Sequence, residues 1–199
     1  MRHSLVTSVT ALAIIIVGAA SAQAQTPAPT PKKKPGFEFV MPGGATMPVG
    51  DQEKNVKRGM VTSAQASYGL RSNLVLTGTF AWTRTRPIGM GAEAKLNLFT
   101  YDMGAEFRMP RQVSARRINV RPFAGFGVGA RSSNYRHVDV ATTHQLAAYV
   151  GAGGEVSLGR VGFRLEVRDY VIGPNLTRLS GAAQRNDVAV LAGLRLVRR

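Results

Sequence analysis

From Gly36 to the end of the chain, apolar and polar residues alternate with a period of two, and no long stretch has helical spacing. In VGFRLEVRDYV, residues 161–171, Val161, Phe163, Leu165 and Val167 share one parity while Arg164, Glu166 and Arg168 share the other. An extended strand with this pattern has one purely apolar face and one face carrying charges of both signs. In a soluble sheet the charges face water and the apolar face lies on a core. In a transmembrane barrel the arrangement is inverted, with the apolar face against lipid and the charges paired inside a narrow lumen.

Other segments have the same two faces. In LNLFTYDMGAEFRM, Phe99, Tyr101, Met103, Ala105, Phe107 and Met109 lie opposite Leu98, Thr100, Asp102, Gly104, Glu106 and Arg108. In VRPFAGFGVGA, Val120, Ala124, Phe126, Val128 and Ala130 oppose Arg121, Phe123, Gly125, Gly127 and Gly129. Glycine in a strand interior marks close approach or tight curvature, so an inward row of it suits a barrel too narrow for more side chains. In QLAAYVGAGGEVSLG, Leu146, Ala148, Val150, Ala152, Val156 and Leu158 are expected outward, and Gln145, Tyr149, Gly151, Gly153, Glu155 and Ser157 inward. The last segment, DVAVLAGLRLV, is apolar on both parities apart from Asp187 and Arg195.

Eight strands are expected, at 37–49, 60–70, 74–84, 94–109, 119–131, 145–158, 161–172 and 187–197. The links 71–73 and 159–160 are tight and 110–118 is moderate, and these follow even-numbered strands. The links 50–59, 85–93, 132–144 and 173–186 are longer and follow odd-numbered strands. This alternation predicts an all-β fold, an eight-stranded antiparallel transmembrane β-barrel with short periplasmic turns and longer extracellular loops. The competing expectation is a soluble periplasmic β-sandwich. In the barrel, Asp102, Glu106, Arg121, Glu155, Arg164, Glu166, Arg168 and Arg195 form a charge network in the lumen, because an isolated charge in a dry interior is very costly and mixed signs offset it.

The N-terminus agrees with export. MRHSLVTSVTALAIIIVGAASAQAQ has a basic start, a short apolar run and an Ala22-Gln23-Ala24 cleavage pattern, so residues 1–24 are predicted to be a signal peptide. Residues 25–35, rich in Pro and Lys, read as a flexible leader in which Lys32, Lys33 and Lys34 are a solvated tether, and 36–199 is the barrel domain. The absence of cysteine excludes disulfides, thiolate catalysis and cysteine-ligated metal. A formal charge of +15 suggests nucleic acid in a cytoplasmic protein, and export argues against that partner.

Catalytic chemistry is scarce. His137 and His144, with Asp139 between them, are expected to be solvated loop residues rather than metal ligands. Nothing in the sequence places Ser132, Ser133 or Ser180 beside a histidine with an acid behind it, so no enzyme and no cofactor are expected. GAGGE and GFGVGA lack the strand-to-helix setting of phosphate loops. Trp82, Tyr101, Tyr149 and Tyr170 are candidates for the aromatic girdles found at membrane interfaces.

The signal peptide, RPFAGFGVGA, AAYVGAGGEVSLG leading into VGFRLEVRDYV, and the closing DVAVLAGLRLV together resemble the small outer-membrane β-barrel domain family, the eight-stranded, porin-like barrels of Gram-negative bacteria. The resemblance spans residues 36–199. It implies an outer-membrane location, insertion by the barrel assembly machinery, contact with outer-membrane lipid and lipopolysaccharide, and a monomer. It further implies a structural or envelope-interaction role with the lumen filled rather than open. A lipid-A-modifying enzyme on the same scaffold is the alternative.

Overall fold

The computed structural model describes residues 36–89, 94–109, 113–115, 118–136, 141–158, 161–175 and 185–197. The expected signal peptide and leader lie outside these residues, as do His137, Asp139 and Ser180.

Eight long strands are present: β1 (Phe37–Val49), β2 (Gly59–Gly69), β3 (Leu74–Thr85), β4 (Lys95–Arg108), β6 (Ile118–Arg136), β7 (Thr143–Leu158), β8 (Val161–Asn175) and β9 (Arg185–Val197). A three-residue strand, β5 (Val113–Ala115), folds back on the start of β6. Each long strand pairs antiparallel with its sequence neighbour among the long strands. The β1–β9 pairing joins the first and last strands, so the eight long strands leave no open edge among themselves and form a closed barrel.

The exposed face is the apolar one. Met60, Met103 and Met41 are 75% exposed or more, and Phe126, Val128, Val150 and Leu194 point outward with them. The charged parity is inside, where Arg108, Arg164 and Arg168 are 1% exposed. A water-soluble sandwich would put these two faces the other way round, so the sandwich expectation falls. On β4 the outer apolar face runs from Phe99 to Phe107. At about 3.4 Å per residue and a tilt of about 40°, that is about 21 Å of height, near the lipid-facing band of a transmembrane barrel.

The strands run further toward the long-loop rim than their hydropathy indicates. Residues 132–136 belong to β6 and 143–144 to β7, so Ser132, Ser133 and His144 are strand residues, not the loop residues expected. Backbone pairing needs no apolar side chain, so the ladder continues past the apolar band while the alternation that marked it fades. On the same rim, the links after β1 and β3 are tied together by Lys57 N–H to Arg86 O (3.0 Å), Ile88 N–H to Asn55 O (2.7 Å) and an isolated bridge of Val56 with Pro87.

The inward glycines make room for rings. A Cβ built on Gly153 would lie 2.5 Å from Phe123 Cζ, and one on Gly104 would lie 2.5 Å from the Tyr149 hydroxyl. A Cβ on Gly127 would also collide with the Tyr149 ring, whereas one on the outward Gly154 meets nothing within 4 Å. Gly153→Ala should therefore destabilise the folded barrel by about 1–3 kcal/mol, as overpacking does. Gly154→Ala, one residue away, should leave urea unfolding in detergent nearly unchanged.

Candidate functional site

The site is the charged cross-section of the lumen. Alternate residues of β8 stack Arg164, Glu166 and Arg168 on its inner face. Register then sets the partners: Arg164 stands opposite Glu155 on β7, while Glu166 and Arg168 stand opposite Gly153 and Gly151, whose missing side chains leave space for the long ones.

Arg164 is the hub. It donates to Glu106 at 2.6 Å, to Glu155 at 3.0 Å and to Glu166 at 2.9 Å, with its guanidinium 3.7 Å from the centroid of the Phe123 ring. Glu155 also accepts from Arg195 at 2.7 Å, and Arg195 reaches Glu38 at 3.1 Å. Arg108 closes this half of the circuit by donating to Glu106 at 2.6 Å and to Glu38. Arg168 begins the other half, donating to Glu166 at 2.7 Å, to Gln65 at 2.7 Å and to Asp102 at 3.4 Å. The Tyr170 hydroxyl donates to Asp102 at 3.1 Å. Nearer the long-loop rim, Arg131 pairs with Asp187 and donates to Thr100 at 3.2 Å.

Seven of the eight residues expected in the lumen network thus meet in one set of ion pairs, contributed by β4, β7, β8 and β9. Arg121 does not join it. Although in register with Glu155, its side chain donates to the backbone oxygens of Met109 (3.1 Å) and Ser72 at the turn rim. Glu38 and Arg108 are members that sequence reasoning left out. The signal for Glu38 was its place between Phe37 and Phe39 in FEFV, a lone acid at alternating spacing.

Little space remains around this set. Among the described residues, a cavity of about 30 Å³ lies beside Arg131, Ser133, Tyr135, Gln145 and Asp187, and one of about 10 Å³ lies beside Arg168 and Tyr170. At about 10–15 Å³ of such volume per molecule, the first has room for about two or three waters and the second for about one.

Two expectations are corrected. Tyr149 and Tyr170 are not girdle residues: both are 5% exposed and pack inside the lumen with ring centroids 5.4 Å apart. Their parity, shared with Arg168 and the inward glycines, outweighs their amphipathic chemistry. Trp82 and Tyr101 do lie on the outer face, in a patch with Phe80 and Phe99. The second concerns only one half of the triad expectation: a serine does stand beside a histidine, with no acid bonded to that histidine among the described residues. Ser132 Oγ is 2.8 Å from His144 Nδ1, a cross-strand pair created because β6 and β7 extend beyond the apolar band. Among the described residues no group of three or more metal-ligating side chains converges.

No family model matches the sequence, and no curated protein matches it. In structure, the chain is similar to Neisserial surface protein A, at 13% identity and a TM-score of 0.57, over 82% of this chain and 99% of that one. The chain has the fold of the eight-stranded outer-membrane β-barrels. The N-terminal barrel domain of Pseudomonas aeruginosa OprF (11% identity, TM-score 0.49, 83% and 99% covered) and OprG of the same organism (13%, 0.49, 82% and 97%) are further similar structures.

In this barrel, Glu166 serves both Arg164 and Arg168. Replacing it with alanine leaves buried guanidinium charge short of a partner, and Glu166→Ala should cost about 3–5 kcal/mol. Leu165→Arg places a charge on the lipid face and should cost about 2–4 kcal/mol near the midplane. Val161→Thr, beside the turn, should do much less. Unfolding of the three variants in lipid vesicles against urea checks this order. A harmless Glu166→Ala would contradict a dry, paired lumen.

Proposed function

We propose that the chain is an outer-membrane protein whose barrel is a closed structural and envelope-interaction element, not a diffusion pore. The observation that carries this reading is Arg164, 1% exposed and bonded to Glu166 on its own strand, Glu155 on the neighbouring β7 and Glu106 on β4 across the lumen. Its neighbours extend the same bonding from Glu38 to Asp102. A solute entering would have to break several charge-assisted hydrogen bonds at once, each stronger than a neutral one. In this reading the short turns and both termini face the periplasm, the longer loops face outward, and lipid and lipopolysaccharide surround a monomer inserted by the barrel assembly machinery. In the same reading the signal-peptide pattern of residues 1–24 supplies the export route.

Planar-bilayer recording of the refolded protein tests the closed lumen, and we expect no large, stable unit conductance. Fractionation tests the location: the protein should be found in the outer membrane and migrate differently on gels before and after heating. Large steady channels would replace this reading with a pore, and recovery as a soluble periplasmic protein would remove it.

A lipid-A-modifying enzyme is the second reading, and the Ser132–His144 contact on the outer face favours it. A hydroxyl beside an imidazole is the start of a nucleophile and base pair. Mass spectrometry of lipid A from deletion and overexpression strains separates the two readings. The structural reading expects no change in acylation; a reproducible change that His144→Ala abolishes would establish the enzyme.

A further inference from the structure

The outer face of β3, β4 and β6 changes character in one step at the long-loop rim. Below the step, Phe80, Trp82, Phe99 and Tyr101 form a ring cluster, with Phe80–Tyr101 centroids 5.3 Å apart and Trp82 stacked parallel to Phe99 at 6.4 Å. Such outward aromatic patches sit at headgroup depth in barrels. Above the step the outer side chains of β3, β4 and β6 are polar, with Asn97 and Asn134 in register beside Arg84, and then cationic. Arg84 lies over the Trp82 ring at 3.9 Å from its centroid, and the Trp82 indole N–H is held by Asn97 Oδ1 at 3.3 Å. Lys95, two residues beyond Asn97, stands directly opposite Arg136 on β6, and all three cations are exposed.

Two like charges directly opposite on one face of a sheet repel each other and weaken the pairing. Among the described residues no carboxylate forms an ion pair with Arg84, Lys95 or Arg136, so nothing described there offsets the repulsion. An anion between them would offset it. Arginine matches phosphate with paired N–H donors, and lysine adds a point charge. The depth of the site, immediately beyond a headgroup-level aromatic patch, selects an anion that belongs to a lipid.

We propose that Arg84, Lys95 and Arg136 form a binding site for the phosphorylated headgroup of the outer-leaflet lipid, lipid A, on the outer wall of β3, β4 and β6. This deepens the function proposed above and rests on it for the leaflet that the long-loop rim occupies. The lipid phosphate completes the charge pattern of the rim, the aromatic patch lies against the glucosamine and upper acyl region, and the barrel gains a fixed partner in the envelope.

Trp82 is the single tryptophan of the chain, so its emission reads this site directly. The folded full-length protein in a non-ionic detergent is titrated with lipid A, with dephosphorylated lipid A and with inorganic phosphate. Lipid A should change Trp82 emission saturably, and the other two should not at the same concentrations. The double change Lys95→Gln with Arg136→Gln should raise the half-saturation concentration about tenfold or more, the loss of about 1.4 kcal/mol of binding. Lys95→Glu should lose binding to a similar degree while keeping or raising barrel stability, since it creates a cross-strand ion pair with Arg136. That separates loss of the site from loss of the fold. The proposal is overturned if the double variant titrates like the parent, or if dephosphorylated lipid or inorganic phosphate reproduces the response. The micelle assay does not depend on cellular location. A protein found in the outer membrane whose Trp82 ignores lipid A therefore sinks this site alone, whereas a soluble periplasmic protein sinks the function proposed above.

Discussion

Closure of the backbone hydrogen-bond ladder is the constraint from which the rest of this structure follows. No water is available in a bilayer core to satisfy an exposed N–H or C=O, so a sheet can cross only if its first and last strands pair. Here β1 and β9 run antiparallel in continuous register from Glu38 with Val197 to Val49 with Asn186. With eight strands the resulting cylinder is just wide enough for side chains to fill. Curvature, the inward glycines and the crowding of the lumen are consequences of that diameter.

The lumen then poses an electrostatic problem, which the chain solves by number and position. Glu38, Asp102, Glu106, Glu155 and Glu166 meet Arg108, Arg164, Arg168 and Arg195 in ion pairs. Buried pairs of this kind owe little to attraction alone, because desolvation is expensive. Multiple hydrogen bonds per guanidinium, as at Arg164 and Arg168, are what make the burial tolerable. Rings under these cations do similar work: Phe123 lies against Arg164 and Tyr149 against Arg168. Each of these two rings occupies volume released by a glycine, Gly153 and Gly127 respectively.

The outer wall obeys different chemistry at each height. Apolar side chains dominate the middle, rings and then cations follow toward the long-loop rim, and the Ser132–His144 contact lies at that same polar margin. The region where the strands outrun the apolar band is thus where the chain carries its polar, chemically capable side chains. That margin and the ion-paired lumen coexist because the two faces of a strand are independent.

The alternation in VGFRLEVRDYV and YDMGAEFRM determined strands and their two faces, and the alternating link lengths together with the export signal pointed to a lumen holding Arg164, Glu166, Arg168, Asp102 and Glu106, the face on which the structure buries them. A period of two is a local property, and local properties are legible along a chain. The tertiary structure alone decided the partners. That Arg164 meets Glu106 from a strand 58 residues away, that Arg108 and Glu38 join the circuit, and that Arg121 leaves it for the carbonyls of Met109 and Ser72 depend on the closure and stagger of the barrel. The ends of β6 and β7 were hidden for a related reason. Ser132, Ser133 and His144 carry no hydropathy pattern, and the paired backbone that makes them strand residues, and brings Ser132 against His144, is a property of two segments together rather than of either one.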